Sequence, residues 1–402
     1  MHYPSIASKA ALAGGWGVIL LGLSIPISVA LDNILLGVLA LLWLLSGYWR
    51  DSIQIVRVNP VAGAAVLLFA MLALGVTYTE GSPGVLFKYI DLLFVPVFLV
   101  FLRDAMTRQR ALCAFGIAAL ASVLVSHLAY LDLLSQVLWF ARAPENPYGF
   151  KPSITHSLIV ALAAYTFALL ARDAQRPRLR IAYIALALFA AHNVVFMILS
   201  RTGYVVLTVL FLYFFATTFG RRGLLAITAA SMAIFFAAYL TSDIFRGRVE
   251  VAATETAEWH AANPSTNSVG LRLEFYTASL EIIRQHPWLG SGTGSFPAVY
   301  ARAVADQHRV PTENPHNEYL LIAVQTGLAG LACLIYLFIR QWQFAGRLGE
   351  TLYRDLGRGV VLTFAVGCLF NSLLIDHTEG LLFAWLSGLA FSAPVKETVP
   401  QG

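Results

Sequence analysis

Residues 153–171 read SITHSLIVALAAYTFALLA, a run of nineteen residues without Asp, Glu, Lys or Arg. A helix needs about 20 apolar residues to cross a bilayer, because each residue advances it by about 1.5 Å. A helix is favoured over a strand because the lipid interior offers no partner to an unpaired backbone group. This stretch is therefore predicted to be a transmembrane helix.

Eleven further apolar runs along the chain share this pattern. They lie near 10–30, 33–49, 60–79, 85–102, 111–138, 181–199, 204–220, 224–241, 318–339, 359–377 and 380–393. The second and last of the twelve runs are short, so eleven spans are an alternative. The predicted fold class is all-α, a polytopic integral membrane protein with about twelve transmembrane helices.

The composition supports this prediction. Hydrophobic residues make up 58% of the chain and charged residues 12%, whereas a soluble domain carries about 25% charged residues. An apolar excess spread over the whole length excludes a soluble enzyme with a single anchor, a disordered protein and a disulfide scaffold. The cysteines Cys113, Cys333 and Cys368 lie inside apolar runs and are predicted to be small buried side chains.

The distribution of Lys and Arg predicts the orientation. With the N-terminus in the cytoplasm, seventeen of them fall in inside segments and only four, Lys88, Arg142, Lys151 and Arg201, in short outside loops. The inside residues are Lys9, Arg50, Arg57, Arg103, Arg108, Arg110, Arg172, Arg176, Arg178, Arg180, Arg221, Arg222, Arg340, Arg347, Arg354, Arg358 and Lys396. Both termini are therefore predicted to be cytoplasmic, and the long loop 242–317 to face outward, into the periplasm of a Gram-negative cell.

Three parts of the chain follow from this topology. Residues 1–241 are predicted to hold transmembrane helices 1–9, residues 242–317 the large loop, and residues 318–402 helices 10–12 with a cytoplasmic tail. Within the loop, 271–286 has apolar residues at a helical period and Pro287 at its end, which predicts an amphipathic helix. A glycine-rich turn and a short helix near 297–307 are expected to follow.

Three basic residues on the outward side are candidates for chemistry. Arg201 lies in SRTGY, in a tight connection between two spans, where a charge near membrane depth needs a partner or a function. The alternative is an arginine that extends to the membrane interface. Arg272 begins the loop helix, and its alternative is an exposed charge at a helix end. His316 lies in NPHNEYL, followed by Asn317 and Glu318, which are positioned to orient it. Taken alone, a histidine here is more often structural.

Other possible sites are disfavoured. The segment GSGTGSF at 290–296 allows a phosphate-binding loop, but it lacks the lysine of a Walker motif, and a tight turn is preferred. Metal is not expected, since neither HExxH nor paired Cys/His spacing occurs. Nucleic acid is not expected either, because the orientation rule explains the basic residues. Structural roles are predicted for the acids and the histidine near the span ends: Asp32, Asp91, Asp132, Asp376, His377 and Glu379.

The order of these loop motifs resembles the O-antigen ligase and O-antigen polymerase superfamily. Arg272 opens the helix, HPWLGSGTGSF follows at 286–296, and NPHNEYLLIAVQTGLAGL enters the next span at 314–331. The resemblance covers roughly residues 180–345 and is most specific at His-Asn-Glu-Tyr-Leu. The late position of one large outer loop also agrees.

The resemblance implies a glycosyltransferase at the outer face of the bacterial inner membrane that needs no metal or nucleotide cofactor. Its donor would be a glycan on undecaprenyl pyrophosphate. The acceptor would be a sugar hydroxyl of lipid A–core oligosaccharide in a ligase, which is the preferred interpretation, and another lipid-linked repeat unit in a polymerase. Arg201 and Arg272 would hold the pyrophosphate, and His316 would be the catalytic histidine.

This chemistry suits an ATP-free compartment, because the activated donor already carries its leaving group. Arginines stabilise the charge that grows on the pyrophosphate, and a histidine accepts the proton of the attacking hydroxyl, which predicts inversion. The predicted substrate-binding residues are Lys88, Arg142, Lys151, Asn317 and Glu318. A transporter of lipid-linked glycan is a third hypothesis. It predicts mid-span charges and two related halves, neither of which the sequence displays.

Overall fold

The computed structural model describes residues 5–133, 146–241, 246–247, 249–251, 253–254, 268–305 and 309–396. Within these ranges the regular structure is helical, and the only β-type pairing is an isolated bridge between Leu348 and Val395. The all-α fold class is confirmed.

The helices, numbered here along the chain, form one bundle with a smaller helical part inserted late in the sequence. They are α1 (Ile6–Ser24), α2 (Val29–Ser46), α3 (Tyr48–Val58), α4 (Pro60–Val76), α5 (Asp91–Phe101), α6 (Ala105–Tyr130), α7 (Ser153–Asp173), α8 (Pro177–His192), α9 (Arg201–Thr241), α10 (Ser268–Gln285), α11 (Phe296–Ala303), α12 (Glu318–Ala345), α13 (Thr351–Gly367) and α14 (His377–Phe391). A 3₁₀ helix (Pro83–Tyr89) precedes α5, and a π-helical turn (Asn193–Met197) follows α8.

The described residues form a multi-pass membrane protein. Eight helices are long and apolar enough to span a bilayer, and α3 with α4, bent by 95°, makes a ninth candidate. The predicted number of twelve is not confirmed. Two reasons lie in the geometry: α9 is one element of 41 residues interrupted at Gly220, and α13 and α14 have only 17 and 15 residues.

Burial separates the inner helices from the outer ones. Nearly all of α7 and α14 is buried, whereas α2 and α8 leave large apolar side chains such as Leu41, Leu45 and Leu188 exposed. Exposed apolar surface of this extent is typical of helices that face lipid or another apolar surface. The outer helices are therefore suited to a membrane, and α7 and α14 form the centre.

One predicted span ends earlier than expected. The sequence predicted an apolar helix over 359–377, but α13 ends at Gly367 and residues 368–376 form turns. These turns provide hydrogen-bond acceptors for α12 and α10. The carbonyl of Cys368 accepts the Glu318 N–H of α12 at 2.9 Å, and the carbonyl of Leu369 accepts the Tyr276 hydroxyl of α10 at 2.9 Å. Hydropathy does not detect such a turn, because its side chains are apolar too.

The loop is fastened to the spans at a break in α12. Gly327 has φ +66° and ψ −166°, so the helical hydrogen bonds are interrupted there. The segment 287–295 fills the interruption: the N–H of Leu328 donates to the Pro287 carbonyl at 2.8 Å, and the N–H of Gly292 donates to the Gln325 carbonyl at 2.8 Å. This junction sets the position of α10 and α11 against the bundle.

Candidate active site

Arg201 is the first residue of α9, and its neighbours fix that helix start. The Ser200 hydroxyl accepts the Gly203 N–H at 3.2 Å and also the Ser157 hydroxyl of α7 at 2.8 Å. Gly203 itself lies so close to α7 that a Cβ there would be 2.5 Å from the Cβ of Ser157. The start of α9 is thereby held against the start of α7.

Arg272, in the second turn of α10, shares a cavity with Arg201. The cavity has a volume of about 200 Å³ and is lined by Ser153, Ile154, Leu199, Ser200, Arg201, Thr202, Tyr204 and Arg272. Both arginines are half-buried. The structure therefore brings together two residues that are 71 positions apart in the sequence.

The cavity is suited to an anion. Its described lining contains two guanidinium groups and no carboxylate. Burial lowers the pKa of Arg272, the nearby Tyr276 opposes this, and the positive charge of Arg201 lowers it further. Ser153 and Arg201 are also the first residues of α7 and α9, and helix N-termini carry partial positive charge. A multiply charged anion bound between these two positive charges would be stabilised by both of them.

His316 does not line this cavity, but it lies close enough to Arg272 to feel its charge, and its backbone conformation is strained. Its φ is +52°, a left-handed value that costs a non-glycine residue about 1–3 kcal/mol. Its N–H donates to Asn314 Oδ1 at 2.9 Å, and its ring centroid lies 6.1 Å from that of Phe275. The Tyr276 hydroxyl donates to its carbonyl at 3.4 Å. The loop and α10 together hold the His316 backbone, and Phe275 of α10 packs near its ring.

The environment of His316 favours its neutral imidazole. Burial, and secondly the positive charge of Arg272, lower the pKa of His316 from its ordinary value of 6.5. A neutral imidazole can accept a proton, whereas an imidazolium cannot. Since Arg201 acts on Arg272 and Arg272 on His316, the three residues form one electrostatic cluster. Their roles in catalysis remain predictions.

Asn317 and Glu318 make contacts that hold the start of α12, and their binding of substrate stays a prediction. Asn317 caps α12: its Oδ1 accepts the Leu320 N–H at 3.1 Å, and its Nδ2 donates to the Leu369 carbonyl at 3.1 Å. Glu318 is fully buried and accepts hydrogen bonds from the Tyr89 hydroxyl at 3.1 Å and from a backbone N–H of the 368–376 turns. Both therefore anchor the helix start, and neither is seen to orient His316 or to reach the cavity.

Lys151 is likewise engaged inside the protein. It is 3% exposed, and its Nζ contacts Asp32 Oδ2 at 3.3 Å and Thr378 Oγ1 at 3.2 Å. The packing gives no support to its predicted contact with substrate phosphates, because a buried ammonium is most stable beside its carboxylate. Lys88 is exposed, and its charge acts on Asp376. It does not line the arginine cavity. Arg142 lies outside the described residues.

Two of the remaining acids near the span ends differ in their contacts. Glu379 Oε1 accepts the Thr155 hydroxyl at 2.5 Å, as a structural role predicts. Asp91 Oδ2 lies 3.8 Å from His377 Nδ1, but neither Asp91 oxygen has a hydrogen-bond partner within the described structure, so its structural role stays a prediction. Over the ranges that the structure describes, no three His, Cys, Asp or Glu side chains are grouped as metal ligands. The expected independence of metal stays a prediction.

The glycine loop is a packed turn. Gly290, Gly292 and Gly294 all have positive φ, between +66° and +96°. The backbone N–H groups of 291–294 donate to protein acceptors in the described structure: the carbonyls of Val324, Gln325 and Gly75, and the side chain of Gln325. Because these donors are already used, the geometry supports the turn interpretation over the phosphate-binding one.

The sequence did not point to two aromatic neighbours of the arginines. Tyr204 follows Arg201 by three residues and lines the cavity; Tyr276 follows Arg272 by four residues and hydrogen-bonds to the Leu369 carbonyl. Side chains three or four apart share a helix face. The spacing of three and four residues therefore predicts that each tyrosine lies beside its arginine, provided that each arginine begins a helix.

The fold and this site define a multi-pass membrane protein with a basic cavity beside a neutral histidine. A family model described as O-antigen ligase matches residues 185–335, which include Arg201, Arg272 and His316. This region therefore belongs to the O-antigen ligase and polymerase superfamily, whose members are glycosyltransferase-like enzymes, and the resemblance seen in the sequence is confirmed. No curated protein matches the chain.

Proposed function

We propose that the protein is an O-antigen ligase that transfers a glycan from undecaprenyl pyrophosphate to a sugar hydroxyl of lipid A–core at the periplasmic face of the inner membrane. The observation that carries the proposal is the shared cavity of Arg201 and Arg272, with His316 beside Arg272. The family match supports the class of reaction, and the arrangement of charges supports the type of donor.

The arginines act on the leaving group. As the bond between the anomeric carbon and the pyrophosphate oxygen breaks, its electron pair and negative charge pass to the pyrophosphate. Guanidinium groups bind phosphate oxygens in pairs and remain charged at any relevant pH. Since the charge they contact grows during the reaction, they stabilise the transition state more than the ground state, and this lowers the barrier.

His316 acts on the acceptor. Its neutral imidazole accepts the hydroxyl proton while the acceptor oxygen forms its bond to the anomeric carbon. The depressed pKa of His316 keeps this base unprotonated near pH 7. Attack opposite the departing pyrophosphate inverts the anomeric centre. The pyrophosphate carries the reaction's free energy, so no nucleotide is needed in the periplasm.

The membrane orientation belongs to the same proposal. The excess of Lys and Arg in the short segments at the opposite ends of the helices supports cytoplasmic termini and a periplasmic cavity. The division at residues 241 and 317 into spans, loop and spans follows from this topology. Labelling of a single cysteine at exposed Arg284 by a membrane-impermeant reagent in spheroplasts tests it.

Transfer in vitro tests the function. Purified protein is supplied with lipid-linked glycan and with lipid A–core, and the product is followed on gels. We expect transfer by the wild type, loss with Arg272→Ala and Arg201→Ala, and wild-type rates with Arg284→Ala, an exposed arginine at the far end of α10. Normal transfer by a folded Arg272→Ala protein would refute the site.

Polymerase activity is the second candidate, because the matched superfamily includes both enzymes. A deletion strain separates them. A ligase mutant accumulates polymer on the lipid carrier, whereas a polymerase mutant leaves single repeats on the core. A third outcome, transport by the purified protein in liposomes without glycan transfer, would establish the transporter hypothesis instead.

A further inference from the structure

A second, larger cavity lies at the other end of α10. Its volume is about 550 Å³, and Tyr78, Glu80, Ile282, Gln285, Arg302 and the glycine loop contribute to its lining. Arg272 and Gln285 are thirteen residues apart on one helix, which separates the two cavities by about 20 Å at about 1.5 Å per residue. The second cavity is thus outside the reacting centre but on the same helix.

The walls of this cavity are fixed before any ligand arrives. The glycine loop is bound to α12 by the hydrogen bonds of Ser291 and Gly292, and the Thr293 hydroxyl donates to the Leu72 carbonyl at 2.7 Å. The Tyr78 hydroxyl donates to the Leu289 carbonyl at 2.7 Å. Most binding sites for small molecules are preformed in this way and have volumes of about 300–1,000 Å³.

The charges in the cavity are balanced. Arg302 Nη1 lies 2.6 Å from Glu80 Oε2, so its one guanidinium faces a carboxylate. A phosphate would meet that carboxylate and be repelled by it. This distinguishes the second cavity from the arginine cavity, whose described lining has two guanidinium groups and no acid. The ligand it fits is therefore close to neutral.

The lining also combines donors, acceptors and apolar surface. Gln285 and His286 are exposed, the Ser291 hydroxyl is buried and has no hydrogen-bond partner within the described structure, and Ile282 and Val299 are buried apolar side chains. Sugars have the matching chemistry, since their hydroxyl groups both donate and accept while their C–H faces pack on apolar surface.

We propose that this cavity is an oligosaccharide subsite, in which Glu80 and Arg302 hydrogen-bond to sugar residues about 20 Å from the reacting bond. The inference rests on the proposed glycan transfer, because it supplies the class of ligand. The glycan has two possible sources, the donor chain and the acceptor core, and both offer the same hydroxyl chemistry.

Binding to free oligosaccharides tests the subsite without requiring catalysis. The probes are the donor glycan released from its lipid by mild acid, and separately the core oligosaccharide without lipid A. The full-length protein in nanodiscs is compared with Glu80→Ala, Arg302→Ala and the double variant. Arg284→Ala is the matched control, because it breaks the exposed Arg284–Glu281 pair of the same helix outside the cavity.

We expect the Kd of one probe to rise about tenfold or more in the Glu80 and Arg302 variants, as loss of charged hydrogen bonds implies. The Kd should be unchanged in Arg284→Ala. In transfer assays the same variants should raise KM with little change in kcat. The probe whose binding is lost identifies the source of the glycan.

Failure of the subsite and failure of the proposed function give different results. If the double variant binds both probes and transfers glycan as the wild type does, the subsite is refuted and the transferase stands. If the wild type transfers nothing yet binds a probe that the double variant does not, the subsite stands and the transferase is refuted. Thermal unfolding of each variant distinguishes lost binding from lost folding.

Discussion

At the scale of single residues, the candidate site includes a histidine whose backbone is held in a left-handed conformation. His316 follows Pro315, and the Asn314 side chain accepts its N–H at 2.9 Å. Strain of this kind persists only where surrounding contacts impose it, and it is common at functional sites. The conformation limits which residues can replace the histidine without disturbing the loop.

His316→Asn should abolish the base and preserve the backbone. Asparagine adopts positive φ more readily than most residues, so the loop keeps its shape. We expect the initial rate of glycan transfer to fall about 10²- to 10⁴-fold, the usual contribution of a general base. The melting temperature should stay near that of the wild type. A variant that unfolds normally and retains most of its transfer rate would contradict the role of His316.

Arg272 should also control the pH dependence through His316. The pKa of His316 is lowered by burial and by the Arg272 charge, so transfer should fall on acidification only below about pH 6.5. Arg272→Gln removes the charge that disfavours the imidazolium, so the pKa of His316 rises. The pH at which the residual transfer rate falls on acidification should then also rise. Arg272→Lys keeps the charge and should leave this pH unchanged.

The measurement is the initial rate from about pH 5 to about pH 8, together with NMR titration of the His316 imidazole. The NMR titration does not depend on residual activity. An acid limb and an imidazole pKa that are identical in Arg272→Gln and Arg272→Lys would show that the arginine does not act on this histidine.

At the scale of elements, the broken helix α12 carries the loop. Gly327 meets two requirements at once: its φ is +66°, and a Cβ at this position would lie 2.3 Å from the Trp288 carbonyl carbon and oxygen. A side chain would therefore be strained and would also push segment 287–295 away. The break is a docking site for that segment, since Leu328 and Ala329 donate their N–H groups to it.

Gly327→Ala should destabilise the protein and displace the loop. We expect a loss of at least about 1–2 kcal/mol from the left-handed backbone alone, with more from the clash. Gly37→Ala is the matched control: Gly37 lies in α2, and a Cβ there has no atom within 4 Å. It should leave the melting temperature unchanged or raise it slightly, because alanine favours helix.

Thermal unfolding in one detergent and limited proteolysis of the loop measure these effects. Equal melting temperatures and equal proteolysis for Gly327→Ala and the wild type would mean that the helix break does not hold the loop. A loop displaced from α12 should also transfer glycan more slowly, because α10 carries Arg272.

At the scale of the whole molecule, one buried ion pair joins distant parts of the chain. Lys151, just before α7, contacts Asp32 in α2 and Thr378 in α14, which lie 119 and 227 residues away in the sequence. The Ser24 hydroxyl also donates to Asp32. The pair fixes the entry of α7, whose first residues, Ser153 and Ile154, line the arginine cavity.

Lys151→Met should cost about 3–5 kcal/mol of stability, because it leaves the Asp32 carboxylate buried without its partner. The double variant Asp32→Asn with Lys151→Met should regain most of this, since neither charge then remains. The free energy of unfolding in detergent is the measurement. If Lys151→Met instead lost transfer at unchanged stability, the lysine would belong to the substrate site as the sequence first predicted.

The sequence predicted the all-α fold class, which is confirmed, and it singled out Arg272 and His316, whose catalytic roles stay predictions. The loop helix expected at 271–286 is observed at Ser268–Gln285, and α12 begins at Glu318 after the NPHN turn. Such features are local: hydropathy over about 20 residues and a period of 3.6 decide them. The family resemblance also came from local motifs, which is why Arg272 and His316 were recognised before their neighbours.

The tertiary structure decided the rest. Lys151, Asn317 and Glu318 were predicted at the substrate, yet each is engaged by residues or turns that are distant in sequence, such as Asp32, Leu369 and Tyr89. Whether a charged side chain is buried with a partner or stays in solvent depends on these distant residues, and no local sequence pattern encodes it. The sequence by itself determined a helical membrane protein and predicted that a set of its basic residues faces outward. Only the packing of α7, α9 and α10 decided which of those residues share a cavity, because a charged side chain's role follows from the groups that folding places around it.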